Sequence, residues 1–174
     1  GQHPYAMPTQ GTAESVKGLT RAAALAGRKA NALGVGKLVF WAEALAGRAL
    51  EGATVGLSLG AWEFKELHTP APAAKRRKPL TAATLCVANV AASRAALAAG
   101  AAVAEGQRLA RRLAMLPGNI CTPEYLARTA RDLSKRHKLP VKVFGRREMA
   151  RMKMGSFLAV AQGTSQDPKL IVLE

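Results

Sequence analysis

The side chains able to do chemistry in this chain are few and scattered. His3, His68 and His137 each lack a second ligand at i+3 or i+4, the spacings that place two donors on one helix face. Cys86 and Cys121 lie far apart in sequence and form no CxxC, so neither a zinc site nor a disulfide framework is indicated. Ser156 and Ser165 stand outside any nucleophile-elbow pattern, and no hydrolase triad is readable. Asp132 belongs to the polar side of a helix, and Asp167 to the turn Gln166-Asp167-Pro168. Gly34-Val35-Gly36 and Gly56-Leu57-Ser58-Leu59-Gly60 match neither GxGxxG nor GxxxxGK[ST], so helix ends and close packing explain them better than phosphate binding. The chain thus offers no catalytic residue and no metal ligand by pattern.

Charge is the other chemical feature. There are 26 Lys and Arg against 11 Asp and Glu, a formal net charge of +15, which favours an acidic or polyanionic partner and says nothing about fold. The basic positions Lys75, Arg76, Arg77, Lys78, Arg112, Arg128, Arg131, Lys135 and Arg136 are candidates for tracking a phosphate backbone, with RNA, DNA or a ribonucleoprotein as partner. Aromatic residues make up only 5%, so stacking on bases is unsupported and backbone contact is the mode expected. The competing reading of the same residues is a solvated helix face, or the uncompensated half of a larger domain.

These residues sit on alternating helices and strands. A helix is predicted over 12–33, closed by Gly34, then a strand at Lys37–Trp41. Helical spacing continues over Ala49–Phe64, an exposed loop over Thr69–Pro79, and a buried strand over Ala83–Val90. A long Ala-rich helix from Ser93 to about Met115 is broken by Pro117 and Gly118. The next helix has its own start signal: Thr122 as N-cap, Pro123 at the first helical position, and Glu124 at the positive end. Tyr125, Leu126, Thr129, Ala130 and Leu133 form its inner stripe. Beyond it are predicted a strand at Val141–Phe144, a helix at Arg146–Met152, and strands at Ser156–Ala161 and Lys169–Leu173. The order implies an α/β fold, a mixed or parallel sheet flanked by Ala-rich helices. Those runs pair good helix propensity with little apolar area, so stability depends on neighbours that cover them.

Leu113-Ala114-Met115-Leu116-Pro117-Gly118-Asn119-Ile120-Cys121-Thr122-Pro123-Glu124-Tyr125-Leu126, followed by Met154-Gly155-Ser156-Phe157-Leu158-Ala159-Val160-Ala161-Gln162-Gly163-Thr164, resembles the leucyl (cytosol) aminopeptidase family. The resemblance extends upstream through Leu50-Glu51-Gly52, Trp62-Glu63-Phe64 and Arg76-Arg77-Lys78-Pro79-Leu80, and downstream to Glu174. It implies a partial N-terminal α/β domain over residues 1–110, then a linker helix and the beginning of the catalytic α/β domain over 111–174. Arg112 stands where an acidic residue is usual in that family, and Met115 where an Asn usually precedes the Pro-Gly-Asn turn.

The resemblance implies an enzyme whose complete form removes N-terminal residues from peptides, often as a hexamer. Two divalent metals, Zn or Mn, would polarise the scissile carbonyl and generate hydroxide. The family's metal-binding Lys, Asp and Glu residues and its catalytic Arg fall after Glu174, so residue by residue no catalytic or metal-binding role transfers here. The 174-residue chain alone is expected to be inactive. Its expected partners are the rest of an aminopeptidase polypeptide or identical subunits, and the alternative is a non-catalytic descendant that binds nucleic acid through its basic surface. No run reaches the roughly 20 apolar residues needed to cross a bilayer, so no membrane partner is expected. Cytoplasm is the default compartment, and an organelle such as the mitochondrion fits the composition as well.

Overall fold

The computed structural model describes residues 13–69 and 77–174. The chain divides into two compact units, residues 1–112 and 113–174.

In the first unit, α1 (Ala13–Leu33) leads to β1 (Lys37–Trp41), α2 (Gly47–Ala61), β2 (Ala82–Cys86) and the long α3 (Val90–Met115), which runs on through the unit boundary. Gly34 ends α1 in the left-handed region, φ 72°. Its N–H donates to Asn31 O at 3.0 Å, and Val35 N–H donates to Ala30 O at 3.0 Å, so the last carbonyls of the helix are satisfied by a glycine-centred cap. β1 and β2 pair in parallel, Val39 opposite Thr84, a pairing that requires the crossover α2 supplies. The core lies between this pair and the two helices: Leu19 and Ala23 from α1, Phe40 from β1, and Leu50, Ala53 and Leu57 from α2.

The two helices pack unusually closely because α2 presents glycines to α1. A Cβ added to Gly52 would meet Thr20 Oγ1 at 2.7 Å, and one added to Gly56 or Gly60 would run into the α1 backbone at Thr20 or Ala24. Gly27 answers from α1, where a Cβ would lie 2.6 Å from Leu57 O. The glycines flanking Leu57-Ser58-Leu59 are therefore contact surface, as close packing predicts.

Three expectations for this unit need correction. α2 ends at Ala61, and Trp62 is already extended (φ -76°, ψ 133°), so the helix does not reach Phe64. The strand at 83–90 is shorter and is not buried: β2 stops at Cys86, and Ala82, Ala83 and Thr84 are exposed. Val90 opens α3, 60% exposed, because Asn89 starts that helix. Asn89 Oδ1 accepts from Ala92 N–H at 3.0 Å and Asn89 O from Ser93 N–H at 3.1 Å, an N-cap signal present in the sequence four residues before Ser93.

In the second unit, α4 (Pro123–His137) is followed by β3 (Val141–Phe144), α5 (Arg146–Arg151), α6 (Gly155–Val160), a 3-10 turn at Ala161–Gly163, and β4 (Leu170–Leu173). β3 and β4 are antiparallel, Val143 opposite Ile171. The chain is thus a mixed α/β structure. Two corrections apply here. Ser156–Ala161 is helical: Leu158 N–H donates to Met154 O at 3.1 Å and the segment pairs with no strand. Six apolar and small residues carry no decisive period, and Leu and Ala favour the helix. On α4 the buried positions are Ala127 and Ala130, while Leu126 is 38% exposed, so the inward stripe is rotated from the predicted one. Among the described residues, no helix is long and apolar enough to cross a membrane.

Candidate functional site

The second unit is built around the turn that enters α4. After Leu116, which is buried, Pro117 O accepts both Ile120 N–H and Cys121 N–H at 2.9 Å, closing the turn through Gly118 and Asn119 on backbone bonds. Thr122 Oγ1 then accepts Tyr125 N–H at 3.2 Å with Pro123 at the first helical position, the expected cap. Cys121 is a half-buried free thiol, as is Cys86.

Glu124, in the first turn of α4, is the electrostatic centre of this unit. Lys169 Nζ reaches one oxygen at 3.1 Å and Arg131 Nη1 the other at 3.1 Å, which ties the helix start to the residue before β4. The hydrogen bond from Lys169, then that from Arg131, holds the Glu124 carboxyl below its ordinary range. A depressed acid contributes stability above its unfolded-state pKa and loses it as pH falls through the folded value. In a carboxyl NMR titration Glu124 is expected to titrate below an ordinary Glu, and Lys169→Met should move the midpoint up more than Arg131→Met does. A midpoint unaffected by Lys169→Met would contradict the assignment.

Beside this pair runs an apolar groove of about 390 Å³ lined by Pro123, Leu126, Phe157, Val160, Pro168 and Ile171. Val160 is 87% exposed. The groove can hold hydrocarbon but offers no cluster of acids or bases. Gly145 N–H donates to Glu148 Oε2 at 2.7 Å, so that carboxylate caps α5, and Asp167 pairs with Arg146 at 3.5 Å. Both acids have structural partners.

The first unit has a wider cleft of about 590 Å³, bounded by α2, β2 and α3, with Glu63, Lys65, Glu105 and Arg108 as its charged lining and Asn31 among its polar residues. Asn31 is nearly buried and tied down: Nδ2 donates to Ala61 O, and Oδ1 accepts Leu80 N–H at 2.7 Å. It fastens α1 to the end of α2 and to the approach to β2.

The basic candidates divide by their surroundings. Lys75 and Arg76 lie outside the described residues, as does His3. Arg77 is exposed and its Nη1 donates to Ala32 O, near the end of α1, while Lys78 is exposed. Arg112 binds Glu66 through both arms, with Nη2 to Oε2 at 2.8 Å and Nε to Oε1, and this holds the Glu66 carboxyl below its ordinary range. Arg131 is committed to Glu124. Arg128 lies over the Tyr125 ring at 5.8 Å, and Lys135 and Arg136 are exposed in the last turn of α4, where positive charge complements the helix dipole. His68 and His137 are exposed, His68 edge-on to Phe64. Among the described residues no three His, Cys, Asp or Glu side chains gather in a group that could hold a metal ion.

Residues 108–174 match the model of the cytosol aminopeptidase family, catalytic domain. The chain is similar to a probable cytosol aminopeptidase of Azoarcus sp. (strain BH72), 40% identical over 156 residues, spanning 83% of this chain and 31% of the relative. A probable cytosol aminopeptidase of Alkalilimnicola ehrlichii is 43% identical over 124 residues, 69% of this chain and 24% of the relative. One from Ralstonia nicotianae is 50% identical over 90 residues, 52% of this chain and 18% of its own length. The chain therefore spans a third or less of these relatives. Among solved structures, the bottromycin maturation enzyme BotP in complex with Mn superimposes with a TM-score of 0.76 at 22% identity, over 91% of this chain and 33% of that one.

Proposed function

This chain belongs to the leucyl (cytosol) aminopeptidase family, and we propose that in its complete form the protein is a metal-dependent exopeptidase that removes N-terminal residues from peptides. The observation that carries this reading is the match of residues 108–174, the end of α3 and the whole of the second unit, to the family's catalytic domain. The fold shared with a Mn-bound enzyme supports a divalent metal in the complete protein. The residues described here do not fit such a metal: Glu148 caps a helix, Glu66, Glu124 and Asp167 pair with Arg or Lys, and among the described residues no cluster forms. No step of hydrolysis is therefore assigned to them. Their part is to frame the entry to the catalytic domain through the 117–122 turn, the capped α4 and the Glu124–Lys169 tie. The metal ligands and catalytic groups belong to sequence outside these 174 residues. The name borne by the relatives supports a cytosolic location.

The first test is the intact mass of the denatured polypeptide from its native source. A mass well above 18.3 kDa, that of these 174 residues, is expected, because a peptidase needs the remaining catalytic domain. A mass of 18.3 kDa would remove the active site and overturn the proposal.

A further inference from the structure

The second half of α3 is held in place without a core. Its buried residues are Ser93, Gly100 and Ala104, and from Glu105 to Met115 nothing on the helix is buried. A helix end whose apolar residues, Leu109 and Leu113, are only half-buried gains little from packing and is prone to fray, since its last carbonyls have no helical partners. Two consecutive arginines counter this. Arg111 lays its guanidinium 4.6 Å from the centre of the Trp62 ring and directs Nη1 to Leu59 O, at the end of α2, at 3.4 Å. Arg112 grips Glu66 with two parallel hydrogen bonds, the geometry in which arginine and carboxylate interact most strongly. Both arginines reach the same short segment, residues 62–66, which follows α2 and has no regular structure of its own.

We infer that Arg111 and Arg112 form an ionic latch that fixes the C-terminal turns of α3 onto the segment 62–66, and that this latch, rather than apolar packing, keeps the helix intact up to the unit boundary at Arg112. The latch is open to solvent, Arg112 and Glu66 being 39% and 42% exposed, so salt screens it. It also explains why arginine at position 112 is compatible with the fold: its acid is Glu66, on the other side of the contact. High salt or loss of either charge should loosen the helix end while the glycine-packed α1–α2 pair stays closed.

The test is hydrogen exchange, read by mass spectrometry on segments covering 105–116 and α1–α2 of the 174-residue protein. Wild type is compared at low and high salt, and with Arg112→Glu, Glu66→Arg and the double exchange. The latch predicts roughly two- to fivefold faster exchange of 105–116 at high salt and in each single variant, the size expected of a well-formed exposed pair plus a cation–π contact, with α1–α2 unchanged. The double exchange should restore slow exchange. Rates over 105–116 indifferent to salt and to both single reversals would overturn the inference, as would a double exchange no slower than the singles. If a variant loses protection in α1–α2 as well, the wild-type salt dependence alone decides the matter in the same two directions.

Discussion

Replacing Gly60 with Ala is expected to destabilise the first unit by about 2–4 kcal/mol, although Ala is the better helix former by about 1 kcal/mol. The new methyl would lie 2.6 Å from the carbonyl carbon and 2.7 Å from the Cα of Ala24, and closer still to its oxygen. All three atoms are backbone of α1, so no side-chain rotation can make room. The helices would have to separate, and Leu50, Ala53 and Leu57, now buried against α1 and β1, would lose contact. Gly106 on α3 is the opposite case: an added Cβ meets nothing within 4 Å, so Gly106→Ala should leave stability unchanged or raise it by about 1 kcal/mol. Both tryptophans, Trp41 and Trp62, lie in the first unit, so denaturant unfolding followed by their fluorescence reads that unit selectively. Equal midpoints for Gly60→Ala and Gly106→Ala would contradict the packing account.

The sequence and the structure agree best where a side chain acts on its own backbone. Thr122, Pro123 and Glu124 announce the start of α4 within three residues, and Gly34 announces the end of α1, because caps and left-handed stops are local chemistry. Asn89 carries the same kind of signal, which the apolar run around it, with the look of a strand, masks. The segment 156–161 fails for a different reason: six small and apolar residues have no period to distinguish helix from strand, and the outcome depends on whether a neighbouring strand pairs with it. Partnerships across distance were not legible at all. Nothing near Arg112 in sequence names Glu66, and nothing near Glu124 names Lys169. The basic positions that look alike in sequence are sorted by those partners into latch, cap and exposed charge. For the functional site, the motifs around 113–126 and 154–164 identify the family, while the described residues supply turns, caps and ties.

The largest effect expected of this protein is the contrast between the 174-residue chain and the complete polypeptide. A two-metal site needs clustered carboxylates to hold the ions and to generate hydroxide at neutral pH. Among the described residues no such cluster forms, and several carboxylates are committed elsewhere: Glu124 to Lys169 and Arg131, Glu66 to Arg112, Glu148 to the start of α5, and Asp167 to Arg146. Enzymes accelerate their reactions by 10⁶-fold or more, so even a small residual activity in the short chain would stand out against the uncatalysed rate.

The most direct measurement is hydrolysis of a leucyl amide by purified residues 1–174 and by the complete polypeptide, each with added Mn or Zn and with a chelator. Chelator-sensitive turnover by the complete polypeptide, with residues 1–174 indistinguishable from buffer under every condition, is the predicted result. Metal-dependent turnover by residues 1–174 alone, or none by the complete polypeptide, would contradict the account.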